Sequence, residues 1–142
     1  MKNNVSDLKT GFIAGSFDLV HPGYIKMFED AKRVCDFLIV ALHDDPSSER
    51  PHKNKPVQTV KERGIILGAI KHIDDIVCYK TEDDLYNLLQ ELRPDVRILG
   101  SDYKSNPNYT GYDLNIPIYF HSRDHRWSCS ELKSRIILEA SK

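Results

Sequence analysis

The chain is poor in the residues that staple small proteins. Its 142 residues include three cysteines, Cys35, Cys78 and Cys129, an odd number at wide spacings with no CxxC pair. That excludes a disulfide framework and a cysteine-based structural zinc site. Cys35 and Cys78 lie in or beside apolar segments and read as ordinary core residues. One-sided charge is also missing. Lys and Arg number 20 against 21 Asp and Glu, a net charge of -1, so no global basic field points to DNA or RNA. No apolar run approaches membrane-spanning length, and the opening MKNNVSDLKT lacks the apolar segment of a signal peptide. Both absences lead to an expectation of a cytoplasmic protein, in which the NYT sequon at Asn108 would carry no sugar. There is no repeat, no low-complexity tract and no linker, so residues 1–142 are expected to form a single domain. With 40% hydrophobic residues the chain can build one core.

Two kinds of apolar pattern alternate along it. Short continuous runs bounded by turn residues predict strands at 10–16, 36–42, 74–79, 94–100 and 116–120. Helical spacing predicts helices at 22–34, 57–70, 81–92 and 128–140. Pro22 suits a first helical position, and Thr81 with Asp84 three residues on forms a short variant of the capping box. Ser128 or Ser130 would cap the last helix, with Leu132, Ile136 and Ile137 inside. The alternation implies an α/β, Rossmann-like open sheet of about five mainly parallel strands with helices on both faces. Ligands on such sheets bind beyond the carboxyl ends of the strands, which singles out the loops 15–24, 43–56, 100–114 and 121–130.

The first of these is GSFDLVHPGY, Gly15 to Tyr24. Gly15 would let a ligand approach the backbone, the amides at Pro22–Tyr24 would face an anion, and His21 could donate to a phosphate oxygen. It is neither a Walker loop nor a GxGxxG fingerprint, and the residues alone leave open a plain tight turn with a histidine cap. The second loop gathers Arg50, His52, Lys53 and Lys55, with Arg63 in the helix that follows; a solvated charged loop is the plain alternative. In the third, Asp102 directly follows a strand and a glycine, where it could bind a hydroxyl or a metal or simply shape the turn. The last, HSRDHRWSCS, joins Arg123 and Arg126 to the serines that open a helix, a second anion site. His121, His125 and Cys129 are spaced by four, but they lie between a strand and a helix rather than on one helix face, so no metal site is assigned to them.

Taken in order, these segments resemble the small nucleotidyltransferases related to glycerol-3-phosphate cytidylyltransferase. GSFDLVHPGY is similar to that family's G[TS]FDxxHxGH. VKERGIIL carries its arginine at Arg63, with the family lysine eight residues earlier at Lys55. KHIDDIVCY and PDVRILGSDY resemble its VDEV-like strand and its PDxxxxGxDW segment. RDHRWSCS, Arg123 to Ser130, aligns without gaps to its RTxGISTT signature. The likeness covers roughly the whole chain from residue 11 on, and several matches in order are more specific than any one of them.

The resemblance implies a Rossmann-like fold, a homodimer, and transfer of CMP from CTP, with Mg²⁺, to a small phosphomonoester such as glycerol 3-phosphate. A CDP-linked compound and pyrophosphate would result. It places His21, Lys55, Arg123 and position 24 in catalysis. Gly15, Ser16, Phe17, His21, Gly23, Lys55, Arg63, Arg123, Trp127, Ser128, Cys129 and Ser130 would meet the nucleotide. Asp18, Lys55, Arg63 and Asp102 would meet the acceptor. An acceptor phosphate is already anionic and needs no general base, so catalysis reduces to positioning and charge neutralisation. The chain departs from the pattern at Tyr24, where the family has a second histidine, and at Trp127 and Cys129. Three outcomes follow for position 24: the phenol replaces the imidazole as donor, another group such as His52 or Lys53 supplies the charge, or nucleotide binds without turnover. An ATP-using adenylyltransferase and a non-catalytic nucleotide-binding protein are the alternatives.

Overall fold

The computed structural model describes residues 8–142; most of the opening stretch used for the signal-peptide expectation lies outside them. The chain alternates β1 (Thr10–Gly15), α1 (Pro22–Ala31), β2 (Phe37–His43), α2 (Val60–Gly68), β3 (Asp75–Tyr79), α3 (Glu82–Leu92), β4 (Val96–Gly100), β5 (Ile118–His121) and α4 (Cys129–Ala140). The strands form one sheet in the order β3-β2-β1-β4-β5, and every neighbouring pair is parallel. The α/β, Rossmann-like open sheet expected from the sequence is the fold observed.

Side-chain alternation along the central strands divides the core into two layers. Ile13, Leu38, Val40 and Leu42 pack with Phe28 and Ala31 of α1 and Leu67 of α2. Phe12, Ile39 and Ala41 face the other way, onto Leu85 and Leu89 of α3. β2 is buried along almost its whole length, which explains its unbroken apolar run. α3 begins at the expected capping box of Thr81 and Asp84. α2 starts three residues later than its periodicity suggests, at a full capping box of Thr59 and Glu62. Val57 and Gln58 are thereby freed to give their amides elsewhere.

Two core assignments are corrected. Cys78 is exposed, because β3 is an edge strand with one side open. Ile136 and Ile137 are not inside but 52% and 66% exposed, and no residue of α4 is buried. α4 follows edge strand β5, beyond which no further strand lies among the described residues to cover its apolar side.

β1 pairs with β4 only at Gly11↔Val96 and Phe12↔Arg97, whereas its pairing with β2 continues to Gly15. The carboxyl ends of β1 and β4 therefore splay apart. This is also where the strand order reverses, the crevice in which open α/β sheets hold ligands.

Candidate active site at the strand ends

The loop leaving β1 is held under strain. Phe17 and Leu19 adopt positive φ angles of 50° and 51°, a conformation that costs a non-glycine residue on the order of 1–3 kcal/mol. Asp18, between them, over-determines the shape. Its carboxylate accepts the amides of Val57 (2.8 Å) and Gln58 (3.0 Å), and the Leu19 amide donates to Gln58 Oε1 at 3.0 Å. Arg63 braces the same loop from behind. Its guanidinium donates to the carbonyls of Gln58 (3.1 Å), Ser16 (2.8 Å), His43 (2.7 Å) and Asp44 (2.5 Å). These carbonyls sit at strand ends and in loops, where ladder partners run out and another donor is required. Asp18 is 5% and Arg63 1% exposed. Both were expected to touch a ligand; the structure places both in the wall, as ties between the first loop, the end of β2 and the start of α2.

His21 caps α1. Its Nδ1 accepts the Gly23 amide at 3.1 Å, which leaves the ring proton on Nε2. Burial, with His125 and Arg123 nearby, holds its pKa below the ordinary value, so the ring is a neutral N–H donor at pH 7. The other amides of this turn are spent as well: Pro22 has none and the Tyr24 amide donates to the His21 carbonyl at 3.0 Å. The anion site expected from the α1 amides at Pro22–Tyr24 is thus not open. A Cβ at Gly23 would lie 2.6 Å from a carbon of His125 and 2.8 Å from one of His21, so only glycine fits between the two rings.

The α4 end offers what α1 lacks. Ser128 caps the helix by accepting the Glu131 amide at 3.0 Å. The first two amides, of Cys129 and Ser130, have no partner within the helix by geometry and none among the described residues. Arg123 is exposed and makes no ion pair among the described residues. Cys129 donates its S–H to the Asp18 carbonyl at 2.6 Å, and burial pushes its thiol pKa up, so it is not a thiolate nucleophile. Trp127 packs against His125 with ring centroids 5.2 Å apart and braces it rather than lining the cavity.

A cavity of about 490 Å³ lies between these two ends. Gly15, Ser16, Phe17, His21, Gly23 and Tyr24 form one wall, and Arg123, Ser128, Cys129 and Ser130 the other, with Asp102 at the edge. These eleven expected residues are brought together. Of the two loop lysines it is Lys53, not Lys55, that reaches the lining; Lys55 is exposed and acts on Asp45. A second cavity of about 470 Å³ occupies the splay between β1 and β4, lined by Arg50, Lys53, Tyr79, Glu82, Arg97 and Tyr109 among others. The two share a floor of Ala14, Gly15, Ser16, Lys53, Gly100 and Tyr103. A larger cleft of about 660 Å³ beside β3, α2 and α3 has Lys80 as its single cation and lies away from both loops.

Arg97 was passed over in the sequence, although an arginine inside the apolar run VRILG is itself a signal. It is 4% exposed, donates to the Thr110 carbonyl, lies 5.3 Å over the Tyr109 ring, and leaves its Nε unpartnered. Burial lowers its pKa from the usual arginine value. His43, Glu49 and Glu82 bring ligand atoms within 4.8 Å of one another. Their groups are largely committed, since Glu82 Oε1 receives the Thr110 hydroxyl at 3.0 Å and Glu49 Oε1 the Glu82 amide at 2.8 Å. His43 and Glu82 form part of the second cavity's polar wall.

Known proteins give this geometry a family. The chain is 41% identical over 98 residues to the bifunctional protein HldE of Gluconacetobacter diazotrophicus and 40% identical over 97 residues to that of Caulobacter sp. (strain K31). Each match covers 68% of this chain and 20% of the relative. The chain thus spans about a fifth of the length of these curated relatives. A lipopolysaccharide core biosynthesis protein from Thermoplasma volcanium shares the fold with a TM-score of 0.66 at 22% identity, over 85% of this chain and 99% of that one. So does a Francisella tularensis pantoate-β-alanine ligase complexed with β,γ-ATP and β-alanine, with a TM-score of 0.61 at 16% identity, over 97% of this chain and 73% of that one. The model of the cytidylyltransferase-like family matches residues 12–125, so the chain, with its paired loops at the splayed strand ends, belongs to the cytidylyltransferase-like nucleotidyltransferase family.

Proposed function

We propose that the protein transfers a nucleotidyl group from a nucleoside triphosphate to a small phosphorylated polyol or sugar, releasing pyrophosphate. The observation that carries this reading is the pair of cavities with a common floor. One is lined by the free α4 amides, Arg123 and the His21 Nε2–H, a set that suits a triphosphate. The other buries Arg97 beside tyrosines and a carboxylate, a set that suits a phosphorylated compound bearing hydroxyls. At about 470 Å³ it is within the range of small-molecule sites. Lys53 lines both cavities.

The acceptor phosphate oxygen would bond to the α-phosphorus as the bond from that phosphorus to the pyrophosphate oxygen breaks. No proton need be removed. The chain's task is to align the two groups and to neutralise charge. His21 Nε2–H would donate to a phosphate oxygen, Arg123 would hold the departing pyrophosphate, and the α4 amides would hold the triphosphate. Mg²⁺ takes oxygen ligands and is commonly bound by one or two carboxylates plus substrate phosphates. Asp102 is the one carboxylate lining the first cavity among the described residues, and the residues present fit a cation carried mainly by the triphosphate. When bound it would supply further charge neutralisation.

The family description and the resemblance of the loops favour CTP as donor. A second reading, ATP, is favoured by the Francisella fold neighbour, which carries an ATP analogue. One experiment decides between them: incubation with each nucleoside triphosphate, Mg²⁺ and a panel of phosphomonoesters, with pyrophosphate release as readout. Release with CTP supports the first reading, and release with ATP alone the second. Nucleotide binding without release from any pair overturns enzymatic transfer.

A further inference from the structure

Position 24 holds a tyrosine where the resembled motif ends in a second histidine, and the structure sets this phenol against a sulfur. The Tyr24 hydroxyl lies 3.7 Å from Cys129 Sγ. The Cys129 proton is already directed at the Asp18 carbonyl, so in this pair the phenol is the donor and the sulfur the acceptor. A hydroxyl has one proton to give. Burial also pushes the phenol pKa up, which rules out a phenolate at neutral pH. The Tyr24 ring stacks on His21 at 4.1 Å and meets Phe17 edge-on at 5.4 Å. Tyr24 is a wall that orients His21.

A second imidazole nevertheless stands beside the first. His125 lies across Gly23 from His21, each ring within 3 Å of the point a Gly23 Cβ would occupy. The two rings are presented in the same way. His21 Nδ1 accepts the amide two residues on, from Gly23, at 3.1 Å; His125 Nδ1 accepts the amide two residues on, from Trp127, at 3.2 Å. In both, the bond to Nδ1 fixes the tautomer that carries the proton on Nε2. His125 Nε2 is buried and has no partner, and a buried polar group left unpaired needs a reason. His125 also lines the same cavity as His21, Arg123 and the α4 amides.

We propose that His125 supplies the second imidazole donor of the site, delivered from the loop before α4 in place of the residue missing at position 24. Resting on the transfer reaction proposed above, this assigns a donor pair, His21 Nε2–H and His125 Nε2–H, to the phosphate oxygens on which charge develops. Loss of one such donor lowers turnover by about 10²–10³-fold. The pair also specifies the chemistry at position 24: that residue must pack against His21 and need not donate.

The test compares pyrophosphate release by wild type, His125→Ala, Tyr24→Phe and the double variant His125→Ala/Tyr24→His, with the donor nucleotide that wild type uses. Expected is a drop of about 10²–10³-fold in kcat for His125→Ala, less than about threefold for Tyr24→Phe, and partial recovery in the double variant. Thermal melting of each variant reports whether the fold persists. Should His125→Ala fail to fold, the wild-type ring is read directly: the imidazole nitrogen resonances of labelled protein are recorded with and without a non-hydrolysable triphosphate. A shift at His125 Nε2 supports the assignment, and none overturns it. Wild-type turnover with unaffected His125→Ala overturns the donor role and leaves the transfer reaction standing. Absence of turnover by wild type with every pair overturns both.

Discussion

The loops that open α1 and α4 look alike in sequence, each with a histidine and a helix cap, but they stand in opposite states. In the α1 loop, residues 15–24, the buried carboxylate and the helix-opening amides are committed, and His21 Nε2 has no partner among the described residues. Asp18 is consumed by the Val57 and Gln58 amides, the Ser16 carbonyl by Arg63, and the first helix amides by His21 itself. In the α4 loop, residues 121–130, Arg123, two helix amides and His125 Nε2 have no partner among the described residues. The difference follows from position in the sheet. The α1 loop leaves the central strand and is enclosed by β2, α2 and the loop between them, so its polar groups must be satisfied internally. The α4 loop leaves an edge strand, and there polar groups can be left for a ligand. In these two loops buried charge ties the frame together, and exposed Arg123 lines the cavity.

The largest effect should come from attacking the frame. Arg63→Met removes donors from four carbonyls while roughly keeping the side chain's length. Stability should fall by on the order of 3 kcal/mol, read as the midpoint of urea unfolding. A loss below about 1 kcal/mol would mean that the carbonyls find other donors, and the division between frame and ligand site would weaken. Arg123→Ala probes the other side. It should leave the unfolding midpoint unchanged and weaken triphosphate binding by about 1.5–3 kcal/mol, the worth of a charge-assisted hydrogen bond. Calorimetric titration with a non-hydrolysable analogue measures it; unchanged affinity would show that the open α4 end is not where the triphosphate sits.

The smallest effect concerns pH and sharpens the status of His21, whose Nε2 has no partner among the described residues. Burial, with His125 and Arg123 close by, holds its folded pKa below the ordinary 6.5. The unfolded chain therefore binds this proton more readily than the folded one. The His21 contribution to stability is fully present above the ordinary value and is lost as pH falls from there through the lowered one. Melting temperature should decline across that window in wild type, with a shallower decline in His21→Asn, which keeps a capping side chain. Parallel declines would mean that other groups dominate the acid side.

Much of the fold is legible from local pattern. The apolar run of β2, the Thr81–Asp84 cap and the helical stripe of α3 each follow from interactions within a few residues, so their sequence signatures survive folding intact. The start of α2 was less legible, because Asp18, some forty residues earlier, competes for the amides of Val57 and Gln58. The apolar stripe of α4 misled, since periodicity reports that a helix has an apolar side but not whether anything covers it. For the site, motif order singled out residues of which eleven line one cavity. What it could not distinguish is which way a charge faces: Arg63 and Arg123 are both arginines near strand ends, and one is 1% exposed while the other is open to solvent.

The amino-acid sequence by itself determined the alternation of strands and helices, the parallel sheet and the set of loops at its carboxyl edge, because each depends on periodicity and turn chemistry over short windows. Only the tertiary structure decided what the histidines and arginines in those loops do. Whether a ring nitrogen or a guanidinium is free depends on partners twenty to more than a hundred residues away, as Arg63 with His43 and Cys129 with Asp18 illustrate. Such pairings exist only once the sheet has brought the strand ends together. The same closure sets His125 beside His21, two residues separated by most of the chain and joined across one glycine.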